Sequence, residues 1–597
     1  MRKRSVITGH ALLEQALCGA ALSAACILLP SQEAPPIPEP SNNAAVNPSG
    51  APMTVRGVVL NAATGQPLPR ALVRTFNPAL GALTDSDGRF EITGVFTGVT
   101  SFEVIKPGFD ERGESDEGPG VTTHMVTVAA GMPELTFQLA PTNVIHGYVT
   151  LSTDAPAEGI GLTLLFKTVR EGRAGWTRID SHQTTPAGDF RFSGLRDGTY
   201  LILTDPEFEN GNDSGAVCNA DGPADAPGYA ARFYDDTQEL ASAARIVVAG
   251  GQNAEVALAL NLTQLHLVTA SPLRAPTGGG WSFANELYGQ NGQELEYPMR
   301  ELQDHSLCVY LPDGSYALAM EATKEDEASA NGLAQPQGVV PSRLSGVVQF
   351  SVEGHAVRHL HIPLAEDVGT QVHVRYEPGP PKPIPQVQQA EDHNGPEDLG
   401  DFEPSNDVLD LSAERVNTVG PQGRGLEANR LDEDTYTLRA TAPGAYWIQA
   451  SASQQGTCMG AVTAGGEDLA RTPWTADANG VGAPIDVVVR TDCAKLTVEL
   501  PPATESAGED RPIFVYAVPE FDSMEGVSQS QPRMYQQGGN TEEIPDLPPG
   551  VYRIYAFHKQ RSIEYRNPDA LERLGPGQEV TLEPNGNASV AIQTVSE

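Results

Sequence analysis

One short pattern constrains this chain more than any other: a turn of the form x-Gly-x-Tyr that opens an apolar alternation. It stands at Asp197-Gly198-Thr199-Tyr200, Asp313-Gly314-Ser315-Tyr316, Pro443-Gly444-Ala445-Tyr446 and Pro549-Gly550-Val551-Tyr552, with a degenerate copy at Thr97-Gly98-Val99-Thr100. The five glycines are 100, 116, 130 and 106 residues apart, a period that fits one antiparallel sandwich per repeat. Glycine supplies the backbone freedom of the turn, and the aromatic ring anchors the next strand in a core. Each tyrosine is therefore expected to face inward rather than toward a ligand. Every copy is followed at some distance by a strand, a polar turn and another strand, as in TVAAGMPELTFQL and EVTLEPNGNASVAIQTV. Stretches such as YLILTD, AEVALALNL, VVQFSVEG and IDVVVR alternate with period two, as half-buried strands do. Helical periodicity is confined to 237–244 and Pro568–Leu574. The expected fold class is all-β: tandem antiparallel β-sandwiches behind an N-terminal hydrophobic segment.

Composition limits the partners. The 597 residues carry 38 Lys and Arg against 77 Asp and Glu, a formal charge of -39. The imbalance comes from missing bases, and the charged fraction of 19% lies below the roughly 25% of ordinary globular chains. Nucleic acid is excluded as a partner, because phosphate recognition needs clustered Lys and Arg. With 40% apolar residues the chain can build several cores.

Arg2, Lys3 and Arg4 precede an apolar stretch at 11–29, the pattern of an export signal. Glu14 shortens the clean run to 14 residues, against about 20 for a comfortable membrane span. Ser23-Ala24-Ala25 offers a cleavage site before Cys26, and Leu22-Ser23-Ala24-Ala25-Cys26 looks like a lipobox whose Leu stands one position early. An uncleaved anchor, a cleaved signal and a lipidated Cys26 stay open, and export is common to all three. The protein is expected in the periplasm or at the cell surface, touching membrane only through this segment. Past it stand Cys218, Cys308, Cys458 and Cys493. Four cysteines allow three pairings, and four buried thiols are the plain alternative. In an oxidising compartment we expect Cys458–Cys493, which falls within one repeat, and Cys218–Cys308.

The first repeat is recognisable. Gly57-Val58-Val59, Thr64-Gly65-Gln66-Pro67-Leu68, Ala71-Leu72-Val73 and Thr84-Asp85-Ser86-Asp87-Gly88-Arg89-Phe90 resemble the carboxypeptidase regulatory-like domain, a transthyretin-like sandwich grouped with carbohydrate-binding-like folds. Gly147-Tyr148-Val149 and Gly188-Asp189-Phe190-Arg191-Phe192 match more loosely, and the layout is similar to large exported bacterial proteins with several such domains in tandem. The expected order is a signal peptide or anchor at 1–29, a Pro-rich linker at 30–53 and the regulatory-like domain at 54–142. Further sandwiches follow at 143–262, 263–368, 369–492 (with an acidic, Pro-rich insertion at 378–406) and 493–597. The resemblance implies an accessory sandwich, not a peptidase, and it makes carbohydrate or peptidoglycan the expected ligand class.

Catalytic signatures are missing. None of the 12 histidines has Glu three residues downstream, and no H-E-x-x-H, G-x-S-x-G, Walker A loop or C-x-x-C occurs. No cofactor or metal is expected. Asp85 and Asp87 are read as a hairpin turn closed by Gly88, rather than as calcium ligands. His355, His359 and His361 are read as an exposed strand face. For a sugar, flat aromatic faces with nearby acids and amides are the expected device. Trp176, Trp281 and Trp474 lie in Gly- or Pro-flanked stretches read as loops and are the ligand-binding candidates. Of Tyr446 and Trp447, adjacent in one strand, one should face outward. The function expected is a non-catalytic binding and scaffold array of the cell envelope, holding a polysaccharide, peptidoglycan or an envelope protein. The alternatives are a structural spacer and a hydrolase using acids such as Glu391, Asp392 and Asp401.

Overall fold

The computed structural model describes residues 51–592, other than 77, 111–122, 209–217, 220–221, 277–279, 290–292, 325–341, 367–368, 380–407, 417–425, 433, 441–442, 478–479, 502–512, 530–540 and 558–559. The N-terminal signal with Cys26, nearly all of the 30–53 linker, and Glu391, Asp392 and Asp401 lie outside the described residues.

Strands form ten sheets among the described residues, which pack in pairs over five separate apolar cores. Each sandwich closes in one way: a strand near its start runs parallel to one near its end. The pairs are Pro52–Asn61 with Leu135–Pro141, Asn143–Leu151 with Asn253–Leu260, Thr263–Pro272 with Val357–Ile362, Thr370–Glu377 with Ile485–Arg490, and Ala494–Glu499 with Asn587–Ala591. The repeated glycines are the first residues of Gly98–Ile105, Gly198–Thr204, Gly314–Lys324, Gly444–Ala452 and Gly550–Phe557. Tyr200, Tyr316, Tyr446 and Tyr552 are all buried. Three of them turn their hydroxyls back to the carbonyl four residues upstream: Tyr200 to Arg196 at 2.7 Å, Tyr316 to Pro312 at 2.9 Å and Tyr552 to Pro548 at 2.8 Å. In these three copies the repeated turn is thus a tyrosine corner, in which one side chain fills the core and ties down the turn that precedes its own strand.

The first two sandwiches share a second device. Gly57 and Gly147 lie where the parallel partner comes closest; a Cβ would sit 2.4 Å from the Leu135 carbonyl oxygen and 1.7 Å from that of Val256. Gly88 and Gly188, with φ of 71° and 79°, give their carbonyls to the amides of Val59 and Val149, both at 2.8 Å. Thr84 and Thr184 donate to the Leu68 and Ala157 carbonyls and accept from the Ala71 and Ile160 amides. Asp85 accepts from the Asp87 and Arg89 amides, so its carboxylate is engaged in the turn.

Two features depart from the sequence reading. Strands Glu207–Phe208 and Asp225–Tyr229 leave the second stretch and join the sheet of the third through Thr263–Pro272. The stretch 143–262 therefore feeds two sandwiches, and a disulfide from Cys218 to Cys308 fastens the excursion to the third. The other disulfide joins Cys458 to Cys493. Residues 237–244 are not an α-helix: the Phe233 amide bonds the Thr237 carbonyl at 2.7 Å, and that tight turn leaves only a 3-10 turn at Leu240–Ser242. Pro568–Leu574 is helical, capped by Asn567. Among the described residues no helix is long and apolar enough to cross a membrane.

Candidate functional site

The longest hairpin of the second sandwich, Gly161–Arg170 and Arg173–Gln183, pairs along its whole length. Glu171 and Gly172, with φ of 46° and 70°, make the left-handed two-residue turn that matches strand twist. This tip reaches beyond its own sandwich. Arg170 Nη1 lies 2.7 Å from Glu414 Oε1 in the fourth. Arg173 Nη2 donates to the Ala470 carbonyl at 2.8 Å, and its guanidinium lies 3.7 Å from the centre of the Trp447 ring. From the fifth sandwich, Arg566 Nε donates to the Glu171 carbonyl at 3.1 Å, while Tyr565 packs on Gly172. Further along the hairpin, Arg178 pairs with Glu296 of the third at 2.7 Å. Arg415 of the fourth lies 3.8 Å over the Tyr288 ring of the third.

These contacts enclose a cavity of about 640 Å³. Trp176 and Trp447 stand in its wall with Gln293, Gln449, Glu414 and Arg245. Trp447 faces the cavity because its neighbours Tyr446 and Ile448 point into the core. Trp176 is half-buried against the small cluster around Leu165 and Leu201. A neighbouring cavity of about 670 Å³ shares Arg415 and Val416. Another of about 640 Å³ shares Arg173, Ala174 and Trp447, so the cleft continues along the seam between sandwiches.

Burial and the neighbouring Arg566 guanidinium pull Arg173 down to about 10. Burial pushes the Glu414 carboxyl up, although Arg170 opposes it. Indole rings, two amides, two carboxyls and several guanidinium groups around a water-accessible space are groups that read hydroxyls and stack on sugar rings.

Of the three tryptophans expected to bind, only Trp176 lines this cavity, and it does so from a strand rather than a loop. Trp281 also opens a strand, opposite Lys324 at a sheet edge, away from the cavity. Trp474 is corrected outright. It is 2% exposed in the core of the fourth sandwich, with Nε1 donating to the Ala483 carbonyl at 3.0 Å. Its three-residue strand pairs Trp474 directly opposite Tyr446, so both rings point to the same interior. Sequence reasoning missed Arg170, Arg173, Arg245 and Glu414. Their partners are remote in the chain, and no local pattern marks them.

Residues 54–139 match the carboxypeptidase regulatory-like domain. The cleft is built wholly from residues outside this regulatory-like domain. No curated protein matches the chain. Among solved structures, the TIE protein of Bacillus anthracis shares 10% identity at a TM-score of 0.15, over 53% of this chain and 51% of its own. The minor pilin GBS52 of Streptococcus agalactiae shares 13% at 0.18, over 38% of this chain and 100% of its own. The shaft pilin SpaA of Lactobacillus rhamnosus GG shares 11% at 0.17, over 35% and 98%. The chain thus spans about half the length of the first of these. The functional reading rests on the cleft itself.

Proposed function

We propose that the protein is a non-catalytic, exported scaffold of the cell envelope that binds saccharide in the cleft between its second, third and fourth sandwiches. The observation that carries this reading is the placement of Trp176 and Trp447 in the wall of one 640 Å³ cavity together with two glutamines. Two disulfides support an oxidising compartment. The spacer alternative is less well supported: a spacer needs only modules in series, whereas here Glu171 and Arg566 are bonded across 395 residues of sequence.

The test is a tryptophan-fluorescence titration of the full chain with neutral and acidic oligosaccharides and soluble peptidoglycan fragments, beside depletion by the insoluble polymers. Saturable quenching that is lost in Trp176→Ala, with thermal unfolding unchanged, is the expected result. Absence of quenching across the panel, or quenching indifferent to both Trp176→Ala and Trp447→Ala, overturns the reading.

A further inference from the structure

Basic residues are scarce in this protein, 38 in 597, yet four arginines line the one cavity: Arg170, Arg173, Arg245 and Arg415. Only two carboxylates, Glu171 and Glu414, line it with them. Glu414 is already committed to Arg170. Arg415 is spent on the fold, donating to the Pro443 carbonyl at 2.7 Å and covering Tyr288. Arg173 and Arg245 are different. Arg173 is half-buried, bonds only carbonyl oxygens and has no carboxylate within ion-pair distance among the described residues. A second guanidinium, Arg566, shares the Ala470 carbonyl with it. Arg245 is exposed and makes no hydrogen bond or ion pair among the described residues.

Two like charges converging on one carbonyl at a half-buried seam repel each other, and the repulsion is screened less there than in bulk water. A chain with 77 acidic side chains has ample means to pair such groups, yet among the described residues no carboxylate forms an ion pair with either, and Glu171 acts on Arg173 only from a distance. An arginine stacked on an indole ring, as Arg173 is on Trp447, is also held in one plane, which prepares its edge for a planar anion.

We propose that the ligand of the cleft is an anionic saccharide, one whose sugar ring carries a carboxylate, received by the half-buried Arg173 and the exposed Arg245, which line the same cavity as Trp176. This rests on the saccharide reading and adds to it the charge of the ligand. A carboxylate is preferred to a point-like anion because a planar guanidinium can bond both of its oxygens through a fork of N–H donors. It also explains how a strongly acidic protein can hold an acidic polymer: the repelling surface is bypassed at one locally basic cleft, so binding should weaken steeply with salt.

The experiment compares one backbone in two charge states. Full-length protein is titrated with oligogalacturonate and with the same oligomer fully methyl-esterified, following tryptophan fluorescence at low and at physiological salt. The acid is expected to bind at least tenfold more tightly than the ester at low salt, with the advantage shrinking as salt rises. Arg245→Gln, at an exposed position, should remove most of the acid's advantage over the ester and leave the melting temperature unchanged. Arg173→Lys should reduce acid binding while retaining the positive charge, which separates the fork from charge alone. Equal binding of acid and ester overturns the anionic assignment and leaves the saccharide reading standing. Quenching by neither overturns the anionic assignment, and the wider saccharide panel then decides the saccharide reading separately. An acid advantage untouched by Arg245→Gln and by Arg173→Lys places the anion elsewhere and overturns the assignment to this cleft.

Discussion

Single side chains set the framework here, and the tyrosine of the repeated turn is the clearest case. In Tyr552 the ring fills the core of the fifth sandwich while the hydroxyl donates to the Pro548 carbonyl at 2.8 Å. Tyr552→Phe keeps the ring and deletes the donor, leaving a buried carbonyl oxygen short of a partner. The expected loss is about 1 kcal/mol, the usual net value of such a bond. It should be read as faster hydrogen exchange in the strand Gly550–Phe557, with exchange in the first sandwich unchanged; uniform exchange throughout would argue against a local corner. Burial raises this phenol above its ordinary range, so the bond persists throughout the working pH range. The role of these tyrosines was legible in the sequence because glycine and aromatic recur at one spacing. The tryptophans were not legible in the same way. Trp176 and Trp474 both stand among small residues and turn formers. What separates them is pairing: Trp474 is held opposite Tyr446 by three residues of strand, too few for alternation to show.

At the scale of elements, period-two alternation located most of the long strands, since one buried face leaves that trace in any sequence. Pairing left no such trace. The parallel closure of every sandwich joins strands about 80 to 115 residues apart, and the two short strands that cross from the second stretch into the third sandwich are two and five residues long. Gly57 and Gly147 are the exceptions where a residue type reports a pairing, and Gly147 is the tighter of the two. Gly147 faces Val256 across the parallel ladder, and a methyl group there would stand 1.7 Å from the Val256 carbonyl oxygen. Backbone must move to admit it. Gly147→Ala is therefore expected to destabilise the second sandwich by about 3 kcal/mol or more, the upper part of the range for overpacking. Gly175→Ala, where a Cβ meets nothing within 4 Å, is the control and should cost well under 1 kcal/mol. Similar losses in chemical denaturation for the two variants would show that the close approach is not what Gly147 provides.

For the molecule as a whole, the sequence foretold a series of sandwiches but not that they would be tied to one another. The ties are single side chains reaching across seams, and one of them titrates. Glu525 of the fifth sandwich accepts from the Met459 amide of the fourth at 2.8 Å. Burial pushes its carboxyl up to about 7, Asp546 adds to the rise, and the Met459 and Ala452 amides oppose it. The unfolded chain holds such a carboxyl near 4.3. Between these values the folded protein binds more protons than the unfolded one, so stability falls as pH rises. The contribution is complete below about 4.3, is lost as pH climbs through about 7, and amounts to something on the order of 3–4 kcal/mol. Glu525→Gln keeps a carbonyl oxygen for the Met459 amide and carries no charge at any pH. The variant should therefore unfold at a higher temperature than the parent at pH 8, match it near pH 4.5, and show a flatter profile between. Other carboxylates will add their own slopes to both proteins, so the decisive quantity is the difference between the two curves. A difference that does not change between pH 4.5 and pH 8 would mean that Glu525 is charged in the folded state throughout. The seam between the fourth and fifth sandwiches would then hold an ordinary solvated acid rather than a protonated one.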